Sequence, residues 1–244
     1  MVHEANRFSS HGPRPATIEF CKDVLDEVIA VFPSQYIHIG GDEAVKTQWK
    51  ASGEIQEMIR EKGLKGEDEL QAWFTKQIDA HLTARGRRLV GWDEILEGGL
   101  APGAVVMSWR GERGGIAAAR AGHSTIMAPT SHTYFDYYQG PEKTEPRAIG
   151  ALISLEKVLS YEPVPREMTD EQARCVLGSQ AQLWGEFISD RRHREYMTYP
   201  RACAFAEVVW SPREERSHEL FLVRLSRHLE RLKSAGIHFR PLDK

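Results

Sequence analysis

Apolar residues recur along this chain at two kinds of spacing, and their alternation predicts alternating helices and strands. Spacings of three and four residues place side chains on one face of a helix. They run through residues 17–32, 49–62, 70–82, 116–121, 151–159, 199–210 and 221–232. Short apolar runs between turn-forming residues predict strands at residues 36–39, 88–92, 104–109, 124–128 and 175–184. Strands separated by helices favour an α/β fold with a parallel sheet.

The predicted strands are followed by similar residues. The first strand runs into Gly40-Gly41 and then into Asp42-Glu43, and glycine allows both a sharp turn and the close approach of a ligand. The segments that follow the other strands are Trp92-Asp93-Glu94, Trp109-Arg110, Tyr134-Phe135-Asp136 and Trp184-Gly185-Glu186. Because the carboxyl ends of parallel strands lie on one face of a sheet, we expect these side chains to line one site.

Tryptophan rings beside carboxylates suit a sugar. The ring covers the C–H face of a pyranose, carboxylates accept hydrogen bonds from its hydroxyl groups, and a central pair of carboxylates suits glycosidic cleavage. Two plainer interpretations stay open at this point. Asp42 and Glu43 could be acidic residues in the first turn of a helix, and the three tryptophans could be core residues. His38 fits an interior histidine with satisfied hydrogen bonds better than a catalytic base.

Composition narrows the class of protein. The chain has 244 residues, of which 41% are hydrophobic and 27% charged, as is ordinary for a soluble globular protein. A net charge of −3 gives no reason to expect nucleic-acid or membrane-surface binding. No apolar run approaches the roughly 20 residues of a membrane span. Cys21, Cys175 and Cys203 lie far apart in apolar patterns and are predicted to be buried thiols.

Six motifs spread over nearly the whole chain from about Thr17 share their order and spacing with one known family. They are His38-Ile39-Gly40-Gly41-Asp42-Glu43, Gly91-Trp92-Asp93-Glu94, Met107-Ser108-Trp109-Arg110-Gly111, Tyr134-Phe135-Asp136, Leu183-Trp184-Gly185-Glu186 and Ala206-Glu207-Val208-Val209-Trp210-Ser211-Pro212. In these motifs the chain resembles glycoside hydrolase family 20, the β-N-acetylhexosaminidases. The resemblance implies a (β/α)8 barrel of the TIM type that removes terminal, non-reducing β-linked N-acetylhexosamine from glycans or glycoconjugates.

The resemblance also implies a retaining, substrate-assisted mechanism, in which the sugar's own 2-acetamido oxygen attacks the anomeric carbon. Glu43 would be the general acid and later the base, Asp42 would stabilise the acetamido group, and Tyr134 would hydrogen-bond the acetamido oxygen. The other implied substrate contacts are Trp92, Trp109 and Trp184 as walls of the pocket, and Asp136 and Glu186 as ligands of sugar hydroxyl groups. No cofactor and no metal is implied.

The chain departs from the family in its number of predicted strands, five where the barrel has eight. The family's signature strand normally comes fourth, so the five correspond to strands four to eight. An arginine of the first strand and a histidine of the third-strand region then have no clear counterpart. We interpret residues 1–244 as a single portion of the catalytic barrel, with an irregular lead-in at residues 1–16. An open sheet leaves two edges, so self-association is expected.

Two other functions stay open. The chain could be a truncated, catalytically impaired fragment that acts at most as a glycan-binding or assembly module. An unrelated parallel α/β hydrolase would require coincidence at all six motifs. The first residues hold no apolar core of a signal peptide, whereas the resemblance favours a secreted, periplasmic or lysosomal enzyme.

Overall fold

The computed structural model describes residues 12–242, and most of its helices fall on the predicted stripes. The α-helices are α1 (Pro15–Val31), α2 (Thr47–Ala51), α3 (Gly53–Glu61), α4 (Glu67–Ala84), α5 (Arg113–Arg120), α6 (Thr130–Thr133), α7 (Leu155–Leu159), α8 (Asp170–Ala173), α9 (Arg191–Thr198), α10 (Arg201–Trp210) and α11 (His218–Ser234). Short 3₁₀ turns cover Asp93–Leu96, Glu142–Thr144 and Arg213–Glu215. Most of the predicted lead-in, residues 1–11, lies outside the described residues, and helix α1 already begins at Pro15.

The strands form a parallel α/β arrangement. They are β1 (Tyr36–His38), β2 (Arg88–Trp92), β3 (Val105–Ser108), β4 (Thr125–Met127), β5 (Tyr137–Tyr138), β6 (Ile149–Leu152) and β7 (Val176–Ser179). Five of them make one sheet in the order β1-β2-β3-β4-β7, and β5 pairs with β6 separately. Strand β2 is parallel to both β1 and β3. The expected α/β class is confirmed, and the fold is consistent with part of a (β/α)8 barrel.

The chain divides into two compact units, each with its own core. The first comprises the described residues up to 107 together with 117–125, and the second comprises residues 108–116 and the described residues from 126 onward. The core of the first unit contains Ile37, Ile78, Leu82, Leu89, Ile95, Ala101, Ala104, Val106 and Ala118. The core of the second contains Tyr134, Phe135, Ile153, Val158, Ala204, Phe221, Leu225, Leu229 and Leu232.

Three details differ from the prediction. Phe32 is the last residue of the apolar stripe predicted over residues 17–32, but its side chain is 58% exposed. Its backbone is already extended ahead of Pro33, so Phe32 lies outside α1. The predicted helix over 49–62 is split into α2 and α3 at Ser52, whose hydroxyl oxygen caps α3 by accepting from the Ile55 N–H. The predicted strand over 175–184 is observed only as Val176–Ser179.

Two kinds of feature are absent from residues 12–242. No helix there is both long enough and apolar enough to cross a membrane. Over the same residues, no three or more His, Cys, Asp or Glu side chains come together as ligands for a metal ion.

The three cysteines Cys21, Cys175 and Cys203 are free thiols that are partly buried, whereas they were predicted to be buried. Burial raises the pKa of Cys21, and it raises the pKa of Cys203 to about 11.

Candidate active site

The turn after β1 is held in an unusual backbone conformation. Gly40 (φ 76°) and Gly41 (φ 96°) adopt left-handed angles that glycine tolerates, and Glu43 adopts φ 47° although it carries a side chain. The Trp92 N–H donates to the Gly40 carbonyl oxygen at 2.9 Å, and Gln71 Nε2 donates to the Gly41 carbonyl oxygen at 2.8 Å. A side-chain-bearing residue held at such an angle stores strain, and strained residues cluster at functional sites.

The glycines of this region leave room for one isoleucine. A Cβ atom added at Gly41 would lie 2.7 Å from Ile95 Cγ2, and one added at Gly91 would lie 2.8 Å from the same carbon. The added atom at Gly91 would also lie 3.1 Å from the Gly40 carbonyl oxygen. Backbone and side chain are therefore packed without spare volume beneath the turn that carries the two carboxylates.

The two carboxylates themselves are open to solvent, and a histidine supports the turn before them. Asp42 and Glu43 are both exposed. His38 Nδ1 accepts from the Gly40 N–H at 3.1 Å, and its ring meets the ring of Trp92 edge-on at 4.8 Å between centroids. Burial lowers the pKa of His38, and the negative charge of Asp42 acts against that shift. His38 is exposed, so the predicted interior position is wrong, although its contacts with Gly40 and Trp92 give it a structural role in the turn.

A row of aromatic rings lies in the second unit. Trp109 follows β3, and its ring is stacked near that of Tyr134 at 6.4 Å between centroids. Tyr137 meets Tyr134 edge-on at 5.7 Å. The Tyr134 backbone forms a parallel bridge with Gln182, whose N–H donates to the Thr133 carbonyl oxygen at 2.8 Å. Tyr134 is only 6% exposed, so its ring is fixed by packing on several sides.

Asp136 is a buried carboxyl group with unused hydrogen-bonding capacity. It is 5% exposed, and its Oδ1 makes no hydrogen bond within the described part of the chain. Burial raises the pKa of Asp136 to about 6, and the negative charge of Glu186 adds to the rise. The backbone N–H groups of Asp136 and Trp184 and the positive charge of Arg201 act in the opposite direction. A buried oxygen without a partner is costly.

Trp184 and Glu186 lie on an irregular segment beyond the end of β7. Trp184 was predicted at the end of a strand, but it comes five residues after Ser179, where β7 ends. Trp184 is 43% exposed and Glu186 is exposed. Two groups of this segment act on Asp136: the backbone N–H of Trp184, which hydrogen-bonds its carboxylate, and the negative charge of Glu186, which repels it.

The structure thus gathers the predicted site residues into two sets. Asp42, Glu43 and Trp92 lie in the first unit, and Trp109, Tyr134, Asp136, Trp184 and Glu186 lie in the second. Gln71 was missed by sequence reasoning, although a polar residue beside the apolar stripe of α4 was a signal that could have found it. Glu207, which lies in the last of the six motifs, pairs with Arg224 at 2.5 Å.

Parallel strands separated by helices define an α/β protein, and the five-stranded sheet is consistent with part of a (β/α)8 barrel. The family model described as glycosyl hydrolase family 20, catalytic domain, matches residues 3–213, and the chain belongs to this family.

Known relatives agree with this assignment. A beta-hexosaminidase of Porphyromonas gingivalis is 48% identical over 233 residues, which are 95% of this chain and 30% of that protein. A beta-hexosaminidase of Vibrio furnissii is 36% identical over 197 residues, 79% of this chain and 32% of that protein. A GH20 exo-beta-N-acetylglucosaminidase of Vibrio harveyi, solved in complex with N-acetylglucosamine, superposes with a TM-score of 0.85 and 31% identity over 94% of this chain and 36% of that one. The chain therefore spans about a third of each relative.

Proposed function

We propose that this chain hydrolyses terminal, non-reducing β-linked N-acetylhexosamine by a retaining, substrate-assisted mechanism. Family membership supports the reaction class, and the Vibrio harveyi relative was solved with N-acetylglucosamine. The observation that carries the proposal is the Asp42-Glu43 pair. Both side chains are exposed at the end of β1, on a turn whose backbone is fixed by hydrogen bonds from Gln71 and Trp92.

Glu43 is proposed to move the proton in both steps. In the first step the acetamido oxygen of the substrate bonds to C1, the bond from C1 to the leaving oxygen breaks, and Glu43 gives its proton to that oxygen. A cyclic oxazolinium ion results. Water then attacks C1, the ring opens at its C1–O bond, and Glu43 takes a proton from the water. Two displacements at C1 leave the product in the β configuration.

Asp42 is proposed to remain charged and to accept a hydrogen bond from the acetamido N–H. Positive charge develops on the acetamido group as the oxazolinium ion forms, so a fixed negative charge beside it stabilises the transition state more than the ground state. Asp42, the proposed anion, and Glu43, the proposed acid, are consecutive residues. They follow Gly40 and Gly41, whose left-handed backbone angles set the direction of the chain before them.

The remaining residues are proposed to hold the sugar. Tyr134 donates to the acetamido oxygen, and Asp136 offers its unpaired Oδ1 to a sugar hydroxyl group. The other proposed contacts are Trp92, Trp109 and Trp184 on the faces of the sugar and Glu186 on a second hydroxyl group. Aromatic rings suit the apolar C–H face of a pyranose.

Hydrolysis of a nitrophenyl N-acetyl-β-glucosaminide by the 244-residue chain tests the proposal. We expect turnover, and we expect Glu43→Gln to lose about a hundredfold or more in kcat because the proton can no longer be delivered. Glu61→Gln, at the exposed end of α3, is the matched control and should retain full activity. A nitrophenyl β-glucoside, which lacks the acetamido group, should not be cleaved. Equal turnover by the Glu43 and Glu61 variants, or cleavage of both glycosides, would contradict the mechanism.

A second candidate is glycan binding without hydrolysis, and the sheet favours it. Within the described residues β1 pairs only with β2 and β7 only with β4, whereas a closed barrel has no edge strands. Calorimetric titration with N-acetylglucosamine discriminates the two candidates. Heat of binding from a folded chain that releases no nitrophenol would support the binding module, and turnover would exclude it.

A further inference from the structure

Arg201, the first residue of α10, is the most deeply buried charged side chain of the second unit. It is 0% exposed, and none of the described carboxylates forms an ion pair with it. Burial lowers the pKa of Arg201 to about 9. A buried charge without an ion-pair partner is an expensive way to stabilise a fold, because an apolar side chain of similar volume often serves as well. Its position therefore calls for an explanation besides packing.

The guanidinium group of Arg201 is held by backbone carbonyl oxygens. Its Nη1 donates to the carbonyl oxygens of Tyr137 (3.0 Å) and Ile153 (3.1 Å), and its Nη2 donates to those of Met197 (2.8 Å) and Phe135. The planar fork of arginine can reach acceptors on several segments at once, which lysine cannot do. Arg201 thereby joins the start of α10 to the end of α9 and to two segments of the preceding chain.

Two of these acceptors bracket Asp136. Phe135 and Tyr137 are its neighbours on either side, so Arg201 holds the peptide group before Asp136 through the Phe135 carbonyl oxygen and the peptide group after Tyr137 through the Tyr137 carbonyl oxygen. The carbonyl oxygen of Asp136 itself accepts from the Ile149 N–H at 3.1 Å. The ring of Phe135 also lies 4.9 Å from Arg201 Cζ, which adds a cation–π contact. With the backbone held by Arg201 at Phe135 and Tyr137 and by Ile149 at Asp136, Asp136 has little freedom to rotate, and its side chain has only its own two torsions.

The charge of Arg201 acts on the same carboxyl group. Burial and Glu186 favour the neutral form of Asp136, and Arg201 favours the ionised form. Burial raises the pKa of Tyr137, and the negative charge of Asp136 adds to the rise. Apart from Asp136, the charged groups that act on Arg201 are Glu145 and Arg240, which have opposite signs.

We propose that Arg201 is a positioning residue, which sets Asp136 for a sugar hydroxyl group by anchoring the backbone at Phe135 and at Tyr137, on either side of it. The inference rests on the proposed function, because that function gives Asp136 its hydroxyl partner. Arg201 itself does not touch the substrate. Its contribution is to keep the acceptor oxygen fixed before the sugar arrives, so that binding does not have to order it.

Three variants separate positioning from general stabilisation. Arg201→Met removes both the fork and the charge, and Arg201→Lys keeps the charge but loses the fork. Arg216→Met is the matched control, since Arg216 also donates to backbone carbonyl oxygens of the second unit, those of Ser211 and Tyr161, without contacting the peptide groups beside Asp136. Denaturant unfolding of each variant measures the purely structural loss.

Steady-state kinetics on the nitrophenyl glycoside supply the first measurement. We expect Arg201→Met and Arg201→Lys to raise KM by about tenfold or more, the loss of roughly one hydrogen bond to a charged group, with a much smaller change in kcat. Arg216→Met should leave KM unchanged. A wild-type KM in Arg201→Lys would overturn the positioning role, even if Arg201→Met fails to fold.

Titration of the Asp136 carboxyl carbon by ¹³C NMR is a second measurement that needs no turnover. The pKa of Asp136 should rise by about one unit in Arg201→Met and should stay close to the wild-type value in Arg201→Lys and Arg216→Met. If the chain releases no nitrophenol, the proposed function fails, whereas this titration and the affinity for free N-acetylglucosamine still decide the role of Arg201. Identical titration in all four proteins, with identical sugar affinity, would overturn it.

Discussion

Replacing Glu43 by glycine should stabilise the protein while removing the proposed acid. Glu43 lies at φ 47°, where a β-carbon is crowded by the following carbonyl group. Its side chain is exposed, so its removal sacrifices little packing. Glycine adopts the same angle without this crowding. The expected gain in stability thus comes from the backbone alone.

The magnitude follows from two opposing contributions. A residue with a β-carbon pays about 1–2 kcal/mol to occupy the left-handed region. Glycine gives the unfolded chain more freedom, which offsets about 0.4–1 kcal/mol of that gain. At the midpoints of the two ranges the net increase in the free energy of unfolding is about 0.8 kcal/mol, and for a chain of this size it raises Tm by about 2–3 °C.

Thermal unfolding of Glu43→Gly beside Glu43→Ala and Glu43→Gln checks this prediction. Alanine and glutamine keep the β-carbon and hence the strain, so both should melt near the wild-type temperature. All three variants lack the acid and should share the same loss of turnover. If Glu43→Gly melts at or below Glu43→Ala, the backbone of Glu43 is not strained and the reasoning is refuted.

Two further outcomes follow from the site. Gln71→Ala removes the donor to the Gly41 carbonyl oxygen. It should lower the free energy of unfolding by about 1–2 kcal/mol and should also lower kcat/KM, whereas the control Gln77→Ala on the same helix should change neither. Unaltered turnover in a destabilised Gln71→Ala would show that this hydrogen bond does not contribute to catalysis. Asp136 has a pKa of about 6 in the folded protein, above its unfolded value near 4. Because the folded protein holds this proton more tightly than the unfolded chain, the wild type should lose stability relative to Asp136→Asn as pH rises from about 4 through about 6. The loss in the free energy of unfolding should reach about 3 kcal/mol. A stability difference between these two proteins that is constant across this range in denaturant titrations would contradict it.

Local pattern was sufficient where one apolar run had clear ends. Strand β2 was predicted over residues 88–92 and is observed as Arg88–Trp92, because a basic residue and a pair of acids bound its apolar stretch. Pattern failed at β7, where the predicted strand continues to Trp184 but the regular strand ends at Ser179 and only an isolated bridge between Gln182 and Tyr134 follows. A strand ends where its neighbour ends, and that is decided by the sheet rather than by the run itself.

The candidate site was predictable as a set of residue types and not as an arrangement. Asp42, Glu43 and Tyr134 were found through their motifs, and their catalytic roles remain predictions. The left-handed backbone of Glu43, the unpaired oxygen of Asp136 and the four acceptors of Arg201 depend on contacts between residues distant in the chain. No local propensity encodes such contacts, so the sequence alone could not reveal them.

The isoleucine beneath the turn has a consequence for protein engineering. Ile95 occupies the volume that any side chain at position 41 or 91 would need. A side chain at position 41 would meet a second obstacle, the left-handed φ of 96°, and a side chain at position 91 would also meet the carbonyl oxygen of Gly40. A library meant to reshape the floor of this turn should therefore hold both glycines constant and vary position 95 towards smaller residues, where each methyl group removed opens space under the two carboxylates.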